Sequence, residues 1–154
     1  RLLMFLDPWA DRFGSGYQLV QSLSAVGSGG FFGKGVGNST QKLFFLPEAH
    51  TDFIYAIIAE EWGFIGAVLV LVLVVAFFRI AVKAALKHTD IYKRLLMIGI
   101  SCLFFYQSII NIFVVIGMLP TKGITLPFIS YGGSAMMISL FLVGVLLRGV
   151  EEQE

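Results

Sequence analysis

The stretch "WGFIGAVLVLVLVVAFF", residues 62–78, carries no charged side chain. Together with the apolar residues just before it, this stretch is long enough to cross a lipid bilayer as a helix, which takes roughly 17 to 25 residues. Two further stretches, Leu95–Thr121 and Gly123–Leu147, are also free of Asp, Glu, Lys and Arg. With 57% hydrophobic residues and a mean hydropathy of +0.85, the composition is unlike that of a soluble domain. The sequence therefore predicts an all-α membrane protein with three transmembrane helices, at about 53–82, 93–118 and 127–147.

The distribution of charge predicts which ends of these helices face the cytoplasm. In residues 79–94, between the first two predicted spans, five basic side chains accompany a single acidic one, Asp90. By the positive-inside rule this loop is cytoplasmic, and the tail 148–154 lies on the same side. Residues 1–61 carry four basic and six acidic side chains, which suits the opposite side. We therefore expect residues 1–61 to form a large extracytoplasmic loop.

Two kinds of segment can be distinguished within this loop. Tyr17–Val26 places leucine and valine side chains on one helical face, which predicts a short amphipathic helix lying at the membrane surface. Residues 27–39 hold six glycines in thirteen positions, and a regular element there would carry a large entropic cost. We predict a loop for this glycine-rich segment. Because the chain starts at Arg1 without a methionine, we also expect it to be part of a longer protein.

The glycine-rich segment does not support a nucleotide site. Residues 28–35, "SGGFFGKG", approach the phosphate-binding pattern G-x-x-x-x-G-K-[ST]. However, Ser28 replaces the first glycine, Gly35 replaces the final Ser or Thr, and no apolar strand precedes the segment. The single cysteine, Cys102, lies in the second predicted span and is expected to pack in the core.

Ionisable side chains crowd the entrance of the first span, in "LPEAHTDFIYAIIAEE", residues 46–61. Asp52 has two interpretations that the residues alone leave open. It can cap the helix that begins near Phe53, or it can accept a proton near neutral pH, with a pKa raised by partial desolvation. Glu60 and Glu61 are expected to mark the membrane interface or to pair with a cation on a helix of the longer protein that lies outside this chain.

The same segment also carries candidate metal ligands. Glu48, His50 and Asp52 alternate along the chain, so an extended backbone would point them to one side. Three ligands this close together do not make a good zinc site. Weak binding of a divalent cation, Mg²⁺ or Mn²⁺, by Asp52 beside a phosphorylated substrate is the better-supported hypothesis. His88, in the basic loop, is expected to be a solvated surface residue.

Lys122 is the one charged side chain between residues 95 and 147. It lies in a segment too rich in proline and glycine to form one helix, and an ionisable group at such depth points to function. With the hydroxyl groups of Thr121 and Ser130 and the backbone N–H groups of Gly132 and Gly133, Lys122 could bind a phosphate or pyrophosphate. The alternative is that Lys122 only extends its amine to the membrane interface.

Two long segments resemble one family of bacterial proteins. "NIFVVIGMLPTKGITLPFISYGGS", Asn111–Ser134, resembles the signature of the SEDS family, the FtsW/RodA/SpoVE group of cell-wall polymerases. Gly16–Gly66 resembles the large extracytoplasmic loop of this family and the start of the following helix. Within the family, "DPWADRFGSGYQ" and "LPEAHTDF" are more similar to division members than to elongation members. The resemblance covers nearly the whole chain and implies the C-terminal part of a ten-helix bundle.

The resemblance implies a function that composition and spacing do not. It predicts a peptidoglycan glycosyltransferase that polymerises lipid II during septal cell-wall synthesis, with the active site on the extracytoplasmic face of the bacterial inner membrane. The implied partners are a class B penicillin-binding protein transpeptidase and other division proteins. Two alternatives remain open: a lipid II flippase or transporter, and a non-catalytic scaffold for division proteins.

The resemblance also assigns roles to residues. Asp52 matches the essential loop aspartate of the family and is the expected general base. Lys122 and Ser130 match positions associated with substrate binding, and His50 and Glu48 are expected to shape the substrate loop. The chain departs from the family at Phe44, where division members often carry an acidic residue, so an acid at this position cannot assist catalysis here.

Overall fold

The computed structural model describes residues 17–35, 37, 52–120 and 123–151, and these residues form α-helices joined by turns. The helices are, in chain order, α1 (Tyr17–Gly29), α2 (Ile54–Ala85), α3 (Ile91–Val115) and α4 (Gly133–Glu151). By length and composition, α2, α3 and α4 can each cross a membrane. No strand occurs in the described residues. The prediction of an all-α, multi-pass membrane protein with three spans is confirmed.

The connection between α2 and α3 is shorter than the basic segment 79–94 suggests. α2 continues to Ala85, and Lys83 lies in its last turn, where a positive charge suits the helix dipole. α3 is capped by Asp90, whose Oδ1 accepts a hydrogen bond from Tyr92 N at 2.9 Å. Only residues 86–90 therefore lie between the two helices. Their cytoplasmic location stays a prediction.

This connection is also tied to α4. His88 is buried, and its Nε2 lies 2.5 Å from the backbone oxygen of Gly149. The expectation that His88 is solvated was wrong, because the short turn folds back against the end of α4.

α3 ends at Val115, just before the left-handed Gly117, and not near residue 118 as the sequence predicts. Gly117 adopts φ +75°, a left-handed conformation that glycine tolerates best. Gly117 N donates to Val114 O at 3.1 Å and Met118 N donates to Phe113 O at 2.8 Å. These two bonds form a Schellman motif, which satisfies carbonyls at the helix end. The helix therefore stops before Pro120 is reached.

The amphipathic segment forms α1, and α1 packs against both α2 and α3. Its buried side chains include Leu19, Val20 and Ala25. Ser22 Oγ donates to Val115 O at 2.8 Å in a buried contact, which satisfies one of the carbonyls left free at the end of α3. The apolar face of α1 is thus covered by protein rather than left for lipid.

α2 contains a break in its helical geometry at Gly63, where φ is +66° and ψ is −158°. The turn that follows α1 docks against this break. Lys34 N donates to Glu60 O and Gly35 N to Glu61 O, each at 3.0 Å, and Phe64 N donates to Gly30 O at 2.9 Å. The backbone groups released by the break are therefore satisfied by another segment of the chain.

Close approach explains glycines that the sequence suggested were loop formers. A Cβ at Gly29 would lie 2.0 Å from Ala59 O, and a Cβ at Gly33 would lie 2.1 Å from Glu61 O. The prediction of a loop over 27–39 was wrong at its start, because α1 continues through Gly29. These glycines allow two backbones to touch.

The same contact buries the acid of an ion pair, while its lysine stays about a third exposed. Glu60 is 0% exposed, and its Oε1 lies 2.8 Å from Lys34 Nζ and 3.4 Å from Ser28 Oγ. The prediction that Glu60 pairs with a cation from a helix outside this chain was wrong, because the glycine-rich segment supplies Lys34. Glu61 is half-buried, and its Oε1 has no hydrogen-bond partner among the described residues.

Candidate functional site

Asp52 lies immediately before α2 and is half-buried. The residue at the N-cap position of α2 is Phe53, with φ −109° and ψ 18°, and no side chain caps the helix there. A capping side chain belongs to the N-cap residue itself. Asp52 stands one position earlier, and a capping role for its carboxylate stays a prediction.

The carboxylate of Asp52 lies against the loop that connects α3 to α4. A Cβ at Gly123 would stand 3.1 Å from Asp52 Oδ2, which is closer than ordinary van der Waals contact. The carboxylate therefore reaches the segment that begins directly after Lys122. Lys122 itself, Thr121, His50 and Glu48 lie outside the described residues, as does Phe44.

Two side-chain amides on α3 hold this loop in place. Gln107 Nε2 donates to Thr125 O at 3.0 Å. One helical turn later, Asn111 Nδ2 donates to Ile124 O at 2.5 Å and to Asp52 O at 2.9 Å. Sequence reasoning missed both residues. The available signal was two amides four positions apart in an apolar span, where a polar group needs a partner inside the protein.

Residues 126–130 form a tight turn ahead of α4. Ser130 N donates to Leu126 O at 3.0 Å, and Ser130 Oγ accepts from Leu126 N at 2.7 Å. Phe128 adopts φ +65°, which is unfavourable for a residue with a side chain. Its ring packs on Phe104, with centroids 5.2 Å apart, and on Phe77, at 6.2 Å. This turn explains why α4 begins at Gly133 and not near residue 127.

A groove of about 660 Å³ opens beside this turn and the start of α4. Its lining residues are Ile54, Ile129, Ser130, Tyr131, Gly132, Gly133 and Met136. Ile54 follows Asp52 by two positions, so the groove lies next to the segment that carries the carboxylate. The structure thus brings together Ser130, Gly132 and Gly133 from the predicted substrate-binding set.

The groove offers hydrogen-bond donors. Ser130 Oγ accepts a bond from the backbone, but its hydroxyl hydrogen can still be donated. Gly132 O accepts from Met136 N at 2.9 Å, which marks the start of α4. The first N–H groups of a helix have no partner within it and carry a partial positive charge. An anion in this groove would therefore meet donors from the backbone.

A second cavity, of about 280 Å³, lies between α2, α3 and the turn. Its lining residues are Val70, Leu73, Val74, Phe77, Phe104, Phe105, Ser108, Pro127, Phe128 and Ile129. Ile129 lines both this cavity and the groove, so the two spaces adjoin, and both have mostly apolar walls.

Within the described residues, no group of three or more His, Cys, Asp or Glu side chains lies close enough to hold a metal ion. Cys102 on α3 is half-buried and is not in a disulfide.

Comparisons with known proteins match the chain along its whole length. The FtsW/RodA/SpoVE family, described as a cell cycle protein family, matches residues 1–154. A probable peptidoglycan glycosyltransferase FtsW of Coxiella burnetii is 52% identical over 157 residues, covering 100% of this chain and 42% of that protein. The protein with the same description from Halomonas elongata is 54% identical over 155 residues, covering 96% of this chain and 38% of that protein. The chain thus spans about two fifths of the length of these relatives.

A solved structure has the same fold. It comes from work on the structural coordination of polymerization and crosslinking by a peptidoglycan synthase complex. The matching chain has a TM-score of 0.73 and 31% sequence identity, and the match covers 97% of this chain and 40% of that one.

Proposed function

Because this chain belongs to the FtsW/RodA/SpoVE family, we propose that it forms part of a peptidoglycan glycosyltransferase that polymerises lipid II in septal cell-wall synthesis. The relatives named above are described as probable peptidoglycan glycosyltransferases. One observation supports the proposal most directly. The Asp52 carboxylate lies against Gly123, and Ile54, two positions after Asp52, lines an open groove that can receive a substrate.

In the proposed reaction, Asp52 is the general base. It takes the proton from the 4-hydroxyl group of the acceptor N-acetylglucosamine, and the oxygen attacks C1 of the donor N-acetylmuramic acid. The bond from C1 to the pyrophosphate oxygen breaks, the configuration inverts from α to β, and undecaprenyl pyrophosphate leaves. General-base catalysis contributes roughly 10²- to 10⁴-fold, so positioning and stabilisation of the leaving group must supply the rest.

The pyrophosphate is assigned to the loop and the groove. Lys122 and Thr121 immediately precede Gly123, which contacts Asp52. We propose that Lys122 and Thr121, with the Ser130 hydroxyl group and the backbone N–H groups at Gly132 and Gly133, hold the leaving group. Ser130, Gly132 and Gly133 all line the groove, which supports this assignment. His50 and Glu48 would shape the loop over the sugars.

The surroundings of the site follow the same proposal. We place the active site on the extracytoplasmic face of the bacterial inner membrane, with a class B penicillin-binding protein transpeptidase and other division proteins as partners. The likeness to a chain from a peptidoglycan synthase complex supports such a partnership. A divalent cation, Mg²⁺ or Mn²⁺, would arrive with the pyrophosphate of the substrate and neutralise its charge there.

Asp52→Asn tests the proposal in the full-length protein with its partner transpeptidase. Supplied with lipid II in detergent, this variant should make glycan strands 10²- to 10⁴-fold more slowly than the wild type. Asp90→Asn is the matched control, because it removes a carboxylate at the start of α3 while asparagine caps a helix equally well. Full polymerase activity of Asp52→Asn would refute the mechanism. Loss of lipid II translocation in vesicles with intact polymerisation would favour the transporter alternative.

A further inference from the structure

We infer that Asn111 is the positioning residue for Asp52: one side-chain amide binds the backbone carbonyls of Asp52 and Ile124 together and sets how the carboxylate meets the loop. The inference rests on the proposed function, in which Asp52 is the general base. It concerns a residue on α3 that need not touch the substrate.

The geometry uses the full donor capacity of the amide. Asn111 is 1% exposed, and its Nδ2 lies 2.9 Å from Asp52 O and 2.5 Å from Ile124 O. A primary amide has two N–H hydrogens, one for each carbonyl. Both neighbours are carbonyl oxygens, so the NH₂ group and not the amide oxygen must face them. Asn111 Oδ1 is buried and has no hydrogen-bond partner among the described residues, so the donors are the part of the side chain that is used.

The two carbonyls come from segments that nothing in the local sequence brings together. Asp52 precedes α2, and Ile124 follows Gly123 in the loop between α3 and α4. A buried carbonyl without a donor costs about 1–3 kcal/mol. Without the amide, the loop and the start of α2 would each gain by turning their carbonyls toward water. The distance between the Asp52 carboxylate and the loop would then no longer be fixed.

Gln107 provides an internal comparison. It lies one helical turn before Asn111 on α3 and is half-buried, and its Nε2 bonds to Thr125 O at 3.0 Å. Gln107 therefore holds the same loop from the same helix, but its hydrogen bonds go to Thr125 and not to Asp52. Replacing either amide by leucine removes loop hydrogen bonds, and only one of the two replacements also releases the backbone of Asp52.

The expected effect falls on the chemical step. Proton transfer needs donor and acceptor within about 2.6–3.2 Å, and a misplacement of about 1 Å can cost 10²-fold in rate. Asn111→Leu should therefore lower kcat by about 10- to 100-fold while KM changes less than about threefold. The fold-loss in kcat caused by Gln107→Leu should be smaller than that caused by Asn111→Leu, by a factor of about ten or more.

The experiment measures kcat and KM for lipid II polymerisation by the full-length variants with their partner transpeptidase. Rates are divided by the folded fraction, taken from thermal unfolding of the same preparations. Asn111→Ser, which is smaller and keeps one hydroxyl donor, carries the same test with less risk to packing and should lose about tenfold in kcat. A wild-type kcat per folded molecule in Asn111→Ser or Asn111→Leu overturns the inference. Equal kcat losses for Asn111→Leu and Gln107→Leu overturn it as well, since they indicate a general structural role.

A double variant separates this inference from the proposed function. If Asn111 acts through the carboxylate, adding Asn111→Leu to Asp52→Asn should not lower the slow residual rate further, whereas independent effects multiply. A multiplied loss overturns the positioning role. If Asp52→Asn is fully active, the proposed mechanism fails. If Asp52→Asn loses kcat as expected and Asn111→Leu keeps the wild-type kcat, only the inference about Asn111 fails.

Discussion

Replacing Lys34 with methionine should destabilise the protein more than removing the charge of its partner Glu60. Lys34 Nζ lies 2.8 Å from Glu60 Oε1, and the two side chains are 35% and 0% exposed. Removing one partner of a buried pair costs about 3–5 kcal/mol because the other charge stays in the interior. We expect about 3 kcal/mol for Lys34→Met, the low end of this range, because Ser28 Oγ remains 3.4 Å from the carboxylate.

Glu60→Gln leaves a different situation. Lys34 is about a third exposed, so its ammonium group can turn to water once the carboxylate is gone. Glutamine fills the same volume and keeps an oxygen that accepts hydrogen bonds. We expect a loss of about 1 kcal/mol. The double variant Lys34→Met/Glu60→Met replaces the pair with apolar side chains of similar size and should regain most of the stability lost by Lys34→Met.

Unfolding of the full-length protein in detergent, followed by the helical circular dichroism signal, measures this order of stability. Lys34→Met should be the least stable, Glu60→Gln intermediate, and the double variant closest to the wild type. Equal losses in the two single variants, or a double variant less stable than Lys34→Met, would refute the reasoning that a stranded buried carboxylate causes the loss.

Two further substitutions test backbone contacts. Gly33→Ala should destabilise the protein by more than about 2 kcal/mol, because φ is +76° and the added Cβ would meet a carbonyl oxygen of α2 at 2.1 Å. Gly30→Ala, at φ +55° with nothing within 4 Å, should cost only about 1 kcal/mol, so equal losses in unfolding experiments would contradict the contact argument. Gly123→Ala should reduce kcat for lipid II polymerisation by about threefold to tenfold at unchanged stability, because its Cβ would push the Asp52 carboxylate by a few tenths of an ångström. Gly144→Ala on α4, with nothing within 4 Å, is the control, and equal kcat values for these two variants would count against a constrained carboxylate.

Much of the fold could be predicted because membrane spans are a local property of the sequence. The uncharged stretch 62–78 lies within α2, and the apolar runs after it predicted α3 and α4. Helix ends were less predictable where several signals compete. The sequence predicts a second span that continues to about residue 118, but Gly117 ends α3 earlier through a left-handed turn. The conformation of Phe128 was equally unpredictable, since its ring packs on Phe77 of α2 and Phe104 of α3.

Contacts between distant segments could not be predicted from local pattern. The entropic cost of the glycines near Lys34 predicts a loop, but contact with α2 explains why Gly29 and Gly33 are glycines. The pairing of Lys34 with Glu60 spans 26 positions and has no periodic signature. The role of Asn111 could not be predicted, because an amide in an apolar helix does not reveal which carbonyls it will meet. The catalytic role of Asp52 stays a prediction, and its place against Gly123 is what the structure adds.

The break at Gly63 divides α2 into two helical parts, and Asp52 lies just before the N-terminal part. At 1.5 Å per residue, Asp52 lies about 16 Å from Gly63 along the helix, so a small change of angle at Gly63 would move the carboxylate. The break is not stabilised by α2 itself, since Phe64 N donates to Gly30 O and not to a carbonyl of its own helix. The segment around Gly30, some thirty positions upstream, therefore holds the two parts of α2 in their relative orientation. A substitution that weakens these hydrogen bonds should change the position of the Asp52 carboxylate.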